Sequence, residues 1–423
     1  MRLPGFQKLS VNERWETLAR ELDLSVRDLE PLMADASLPI ASANAMIENA
    51  VGVMGLPVGL ALNFRINGRD RLIPLAVEEA SVVAACSLAA KIARGAGGFD
   101  AEADPPVMIG QIQIARIENI EAGRAALIAS KAELLALADS FHPQLAERGG
   151  GARDLEVRVL DPGEGRPLEL VVHLLVDTRD AMGANLINTM VEGIAPRVAI
   201  LARGRVGLKI LSNLADHRLA RARCRIPAEA LSCFGRSGEE VARGIEAASR
   251  FAEQDPYRAC THNKGVMNGV DALAIATGND WRAIEAGAHA FAARSGRYSP
   301  LSTWRFVDGA LVGQIELPIQ VGTVGGAVRG NPLAKFLLTK VLRCPDARDL
   351  AAVMAAVGLA QNLAALRALA TVGIQEGHMA LHARAVAHAA GATGGAVERL
   401  AEALIACGEI KLSRAEALLR EMT

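Results

Sequence analysis

The side chains able to do chemistry in this 423-residue chain gather in a few short segments. The densest, Asp255-Pro-Tyr-Arg-Ala-Cys-Thr-His-Asn-Lys-Gly-Val-Met-Asn-Gly269, places Arg258, His262, Asn263, Lys264 and Asn268 within eleven residues. A second segment, Ala276-Thr-Gly-Asn-Asp-Trp-Arg282, carries Asn279 and Asp280. A capped helix end explains those two equally well. His378 and His382, four apart, share a face if helical. They make half a metal site at most, and no third ligand has suitable spacing, so no metal is assigned. Glu78 and Glu79 precede a long apolar run. Acids there either complement a helix dipole or serve as proton donors. Dinucleotide GxGxxG, P-loop, GxSxG and HExxH signatures are missing from the sequence.

Composition narrows the classes further. Lys and Arg number 46 against 47 Asp and Glu, a net charge of −1, and aromatic residues make up 3%. That balance argues against a general nucleic-acid binder, which needs a basic surface and stacking rings. The apolar stretch from Asn49 to Phe64 is broken by glycines and Pro57, and Val353 to Ile374 by Gln361, Asn362 and Arg367. Neither reads as a membrane span. The first residues, MRLPGFQKLSVNERWE, lack a signal peptide's apolar core. Six scattered cysteines without metal spacing fit a reducing compartment. A cytoplasmic protein is expected, and at this length two to three domains.

The elements that must hold these groups can be read from periodicity. Leu18 to Leu32 and Ser37 to Val53 read as helices, and Asn67-Gly68 as a hairpin turn. Ser81 to Gly95 reads as a helix buried all round. From Val107 the pattern changes. A strand (Val107–Ile117), a helix (Ala122–Ala146), two strands (Leu155–Leu160 and Leu168–Val176), a helix (Asp180–Arg203) and a strand (Val206–Leu211) follow. The order β-α-β-β-α-β predicts a ferredoxin-like unit inserted into a larger, mostly helical one. Beyond Leu219 helices return, with an irregular glycine-rich region from Asp255 to Gly330. Leu350 to Ala370 reads as a long helix, and Gly391-Ala-Thr-Gly-Gly395 as a joint before two short helices. A lid and a permanently packed tail are both compatible with that ending.

Taken together and in order, the segments resemble the class II 3-hydroxy-3-methylglutaryl-coenzyme A (HMG-CoA) reductases. The resemblance lies in Glu48-Asn-Ala-Val-Gly52, Asn67-Gly-Arg-Asp70, Val77-Glu-Glu79, Asp180-Ala-Met-Gly-Ala-Asn185, Asp255-Pro-Tyr-Arg258, His262-Asn-Lys-Gly265, Thr277-Gly-Asn-Asp-Trp281 and Gly377-His-Met379. It covers essentially the whole chain.

The resemblance implies an α+β fold: a large substrate- and CoA-binding domain (1–106 and 213–375), an inserted cofactor domain (107–212) and a C-terminal helical flap (376–423). It implies reduction of HMG-CoA through mevaldehyde to mevalonate and CoA, by two hydride transfers from NAD(P)H. Lys264 would stabilise the oxyanion, Glu79 would donate a proton if buried against another acid, and Asp280 would bind both in one network. His378 would protonate the leaving thiolate. Arg258 would take the substrate carboxylate, with Ser81, Asn213 and Asn268 as hydrogen-bonding neighbours. Asp180, Met182, Gly183, Ala184 and Asn185 would open the cofactor helix, with backbone N–H groups suited to a pyrophosphate. Gly325 and Gly326, in Gly322-Thr-Val-Gly-Gly326, would assist, a plain turn being the other reading. His142 stands where NADH-using relatives carry an aspartate. With no arginine cluster adjoining it in sequence, NADH is expected ahead of NADPH. Ala80 stands where a proline commonly follows the glutamate. A homodimer with active sites at the subunit interface is expected. An inactive CoA-binding or regulatory protein of the same fold is the alternative, against which the set Glu79, Lys264, Asp280 and His378 argues.

Overall fold

The computed structural model describes residues 1–33, 38–161, 163–371 and 373–422, without the side chains of 327, 329 and 374–381. The N-terminal arm holds α1 (Val11–Leu22), α2 (Glu30–Met33) and α3 (Ile40–Met46). Ser10 and Glu13 form a capping box that starts α1. The expected helix to Val53 ends at Met46: Ile47 is extended, and Asn49 has φ 56°. Gly52, Gly55 and Pro57 follow, all poor helix formers. Residues 47–57 therefore run as an irregular arm, with Val51 and Met54 exposed.

β1 (Val58–Ile66) and β2 (Arg69–Ala76) form an antiparallel hairpin. Asn67 and Gly68 both have positive φ (50° and 75°), as a type I′ turn requires. α4 (Val82–Gly95) packs on the hairpin by one face only, through Val82, Cys86, Ala89, Ala90 and Ala93. Ala84 and Leu88 are exposed, so the helix is not buried all round.

After β3 (Asp100–Ala103) the chain leaves this body. It forms β4 (Val107–Ala115), α5 (Ile120–Ala129), α6 (Lys131–Ser140), α7 (Pro143–Glu147), β5 (Gly151–Leu160), β6 (Glu169–Asp177), α8 (Ala184–Ala202) and β7 (Arg205–Ser212). The strands pair antiparallel in the order β5-β6-β4-β7, the split βαβ arrangement. The helix expected over Ala122–Ala146 is broken twice. The second break falls where Pro143, which has no N–H, starts α7. A separate core fills this unit, with Met108, Ile112, Leu127, Leu134, Val172 and Met190 fully buried.

The chain returns at β8 (Leu219–Pro227), the hydrogen-bonded neighbour of β3. Then come α9 (Gly238–Gln254), α10 (Pro256–Ala276), α11 (Trp281–Ala292), β9 (Ser302–Val307) and β10 (Ala310–Pro318). The sheet order is β3-β8-β10-β9. Residues 255–330 are thus mostly regular, contrary to the expectation from their glycines.

α12 (Gly326–Gly330) and α13 (Pro332–Phe336) lead into α14 (Ala347–Ala370). α14 is long and apolar enough to cross a membrane, but 83% of its most apolar window is buried within the protein. Of its polar interruptions Asn362 is a core hydrogen-bond partner: its Oδ1 accepts from Ser302 Oγ (3.0 Å) and Trp304 Nε1 (2.8 Å). α15 (Ile374–Ala389), α16 (Gly395–Cys407) and α17 (Leu412–Met422) close around their own small core of Ala383, Ala387, Leu400, Leu404 and Ala415.

Candidate active site

α10 carries most of the candidate chemistry, and its start is well specified. Asp255 accepts from the N–H groups of Tyr257 (3.2 Å) and Arg258 (3.3 Å), and Pro256 occupies the first turn. The inward face holds His262 and Asn263, both buried. His262 Nε2 meets Ser302 Oγ at 2.8 Å, and Asn263 Nδ2 donates to Ser299 O at 3.0 Å. Burial, aided by the Arg258 cation, pushes His262 down to about 4. It is a neutral bolt between α10 and β9 rather than an acid for catalysis.

The outward face meets the end of β2. Lys264 Nζ lies 3.4 Å from Glu79 Oε2, and Ser81 Oγ donates to Glu79 Oε1 at 3.2 Å. The side chains of Lys264 and Glu79 are 64% and 40% exposed. Such an open ion pair contributes only about 0–1 kcal/mol to stability. Its chemistry is therefore the more informative feature. The burial against a second acid expected for Glu79 is not found within one chain. Asn268 lies one turn beyond Lys264 and is half-buried. Arg258 is half-buried, and desolvation lowers its pKa. Among the described residues no carboxylate pairs with it, so a guanidinium is left ready for an anionic group.

Asp280 is elsewhere. It caps α11, accepting from Ala283 N at 3.2 Å, with Arg282 at 3.7 Å. Lys264 is twelve residues from the end of α10, a rise of about 18 Å. The network of Lys264, Glu79 and Asp280 implied by the resemblance is not assembled in a single chain, because Lys264 sits mid-way along α10 beside Glu79 whereas Asp280 lies beyond the helix's far end.

Asp280 instead lines a cleft of about 610 Å3 with Met182, Gly183, Asn185, Gly325 and Gly326. Helix α8 starts later than expected. Asp180 lies in the preceding turn, where its carbonyl accepts from Thr323 N (2.9 Å) and its Oδ1 from Ala347 N (3.1 Å). Gly183, at φ 102°, is the N-cap residue, and a Cβ there would sit 2.5 Å from Thr178 Cγ2. The 322–326 loop is joined to this wall: a Cβ on Gly322 would lie 2.7 Å from Met182 N. Gly322 N in turn donates to Asn279 Oδ1 at 2.8 Å.

Other candidates lie apart. Asn213 is exposed, with its carbonyl against α11 and accepting from Gln320 Nε2 at 3.0 Å. His142 caps α7, with Nε2 buried and unpartnered. His378 falls on α15, but its side chain lies outside the described residues.

The match of the whole chain decides the family. The family model described as hydroxymethylglutaryl-coenzyme A reductase matches residues 10–383. The chain belongs to that family. A 3-hydroxy-3-methylglutaryl-coenzyme A reductase of Archaeoglobus fulgidus is 50% identical over 423 residues, 100% of this chain and 94% of the relative. A probable reductase of Borreliella burgdorferi is 36% identical over 384 residues, 91% of this chain and 86% of that one. The solved Streptococcus pneumoniae reductase superposes with a TM-score of 0.85 at 44% identity, covering 100% of each chain. A structure of the class II enzyme from that organism, bound to NADPH in open conformations, gives 0.84 at 45% identity and covers 88% of this chain and 100% of that one.

Family membership does not reveal what sequence reading overlooked. Arg218 is buried behind the Asp180–Asn185 wall. No motif or spacing marks it, and its role is visible only from the loops it touches.

Proposed function

We propose that this chain reduces HMG-CoA to mevalonate and CoA, consuming two NAD(P)H and two protons. The observation that carries the reading is the Lys264–Glu79–Ser81 cluster, with Arg258, which pairs with no carboxylate among the described residues, six residues earlier on the same helix. Arg258 takes the free carboxylate of the substrate and orients its thioester. Lys264 Nζ stands where the carbonyl oxygen gains negative charge. When the adduct collapses to mevaldehyde, the CoA thiolate leaves and His378 protonates it. Glu79, in its protonated form, gives its proton to the aldehyde oxygen in the second reduction, with Ser81 fixing the rotamer of its carboxyl. An inactive binding protein has no need of these proton donors.

The nicotinamide supplies the hydride in both reductions. The cleft between α8 and the 322–326 loop suits its pyrophosphate, because Gly183 and Gly322 let the two loops pack backbone to backbone at the start of α8, where free N–H groups gather. On this reading 107–212 is the cofactor domain, 376–423 the flap that delivers His378, and the remainder the substrate domain. The cofactor cleft with Asp280 and the Lys264–Glu79 cluster are two half-sites. A second copy of the chain completes them, which supports a homodimer with composite sites. The exposed apolar arm with Val51 and Met54 emerges beside Glu79, since Val77 N donates to Pro57 O (3.0 Å), and offers such a dimer a contact. The unpaired cysteines suit a reducing cytoplasm.

NADH is the preferred donor on this reading. The fold brings Arg153 and Arg179 to the turn after α7, but both are tied to Asp177 (3.2 and 3.9 Å) rather than free for a 2′-phosphate. The test is NAD(P)H oxidation on addition of HMG-CoA. His378→Gln should lower that rate at least about a hundredfold yet spare reduction of free mevaldehyde, which releases no thiolate. Equal damage to both reactions removes the assigned role, and no HMG-CoA-dependent oxidation refutes the function. A kcat/KM for NADPH above that for NADH overturns the cofactor preference, and its reversal in His142→Asp would trace it to that position.

A further inference from the structure

We infer that Arg218 is the positioning residue that shapes the cleft wall for a pyrophosphate, by clamping two loops from behind. The inference rests on the reading of that cleft as the dinucleotide site.

Arg218 lies in the link from β7 to β8 and is 3% exposed. Its guanidinium pairs with no carboxylate oxygen among the described residues. Nη1 donates to Thr178 Oγ1 (3.2 Å), Ala181 O (3.3 Å) and Met182 O (3.5 Å), and Nη2 donates to Val321 O. All its partners belong to the two loops that meet at the cleft. Burying a cation with only neutral partners is costly. Desolvation lowers its pKa to about 10, opposed by the more distant charges of Asp177 and Asp180.

The clamp has a directional consequence. No peptide bond among the described residues is cis. In a trans peptide the carbonyl and the following N–H point opposite ways. Carbonyls 181, 182 and 321 drawn toward Arg218 therefore turn the N–H groups of Met182, Gly183 and Gly322 away from it. One of these is seen to be used: Gly322 N donates to Asn279 Oδ1. Those of Met182 and Gly183 meet no acceptor among the described residues, and both residues line the cleft. They stand beside the free N–H groups of the first turn of α8. The result is a set of outward donors backed by a buried guanidinium that no carboxylate touches among the described residues, a combination that favours an anion. Thr178 completes the clamp, donating to Ala181 O (2.8 Å) while accepting from Arg218.

The test measures dissociation constants of NADH and NADPH by fluorescence, and inhibition by inorganic pyrophosphate, in Arg218→Met, Arg218→Lys and Thr178→Val. Losing a charged hydrogen-bond donor should weaken dinucleotide binding roughly tenfold to a hundredfold in Arg218→Met. Arg218→Lys, with the charge but not the fork, should recover part of this. KM for HMG-CoA should stay within about twofold, because Arg218 does not border the Lys264 cluster. Should Arg218→Met not fold, Thr178→Val keeps the cation and is expected to weaken binding about threefold to tenfold. Unchanged dinucleotide affinity in the folded variants, or an equal rise in KM for HMG-CoA, overturns the clamp. Gly322→Ala, whose Cβ would crowd Met182 N, separates the two readings. If it weakens dinucleotide binding while the Arg218 and Thr178 variants do not, the clamp alone falls. If none of the variants does, the cofactor reading of the cleft falls with it.

Discussion

Two inactive variants of this chain should repair each other. Lys264 and Asp280 are separated by about 18 Å of α10 plus a turn, because the helix rises 1.5 Å per residue over the twelve residues to Ala276. Both side chains extended toward each other would span only about half that distance. If the two groups act on one substrate, they must come from different copies. Lys264→Ala alone should lower kcat on the order of a hundredfold to a thousandfold by removing the oxyanion's cation, and Asp280→Asn should also be strongly impaired. In a heterodimer of the two variants under two-fold symmetry, one site carries both defects and the other neither. Turnover per dimer should return to about half that of the wild type, with KM unchanged. Co-expression with two different affinity tags isolates the heterodimer, and HMG-CoA-dependent NAD(P)H oxidation reads it. A purified heterodimer no more active than its parents would refute the composite site. So would full activity in a species that sediments as a monomer.

Two further outcomes follow from the same helix. His262 is held at about 4 against an ordinary 6.5, so between those values the unfolded chain takes up a proton that the native chain refuses. Stability should fall as pH falls through that window, by up to about 3 kcal/mol, and show no effect of this group above it. In urea unfolding at pH 7.5 and 4.5, His262→Gln should lose less stability on acidification than the wild type; parallel losses would show that His262 does not titrate as described. Cys260 is exposed and lies one turn before Lys264 on the same face of α10. N-ethylmaleimide should inhibit the enzyme at least about tenfold, HMG-CoA should protect, and Cys260→Ser should resist. Inhibition that persists undiminished in Cys260→Ser would place the sensitive thiol elsewhere.

How much was legible depended on how local each cause was. Strands β4 to β7 and helix α8 could be read because alternation, period and turn residues are properties of neighbouring positions. So could the Asn67-Gly68 hairpin, since the two positive φ angles depend on those two residues. The arm at 47–57 and the break before Pro143 were misread because apolar content alone suggests helix even where glycine and proline interrupt it. Glycines likewise made α10 look irregular, yet a capping aspartate, a first-turn proline and a buried polar face make it one 21-residue helix.

By itself the sequence determined the family, the candidate side-chain types and the β-α-β-β-α-β order, since eight ordered segments and local periodicity survive without coordinates. Only the tertiary structure decided which groups share a site. Lys264 and Asp280 are sixteen positions apart, a short interval in sequence, but a rigid helix turns it into a distance no side chain crosses. Glu79 is far from Lys264 in sequence and lies beside it because β2 packs against α10. Arg218 acquires its place the same way: its partners in the 178–182 and 321 loops meet only when the two units fold together. Chemistry resides in residue types, whereas distance and burial arise from packing between segments that sequence order does not relate.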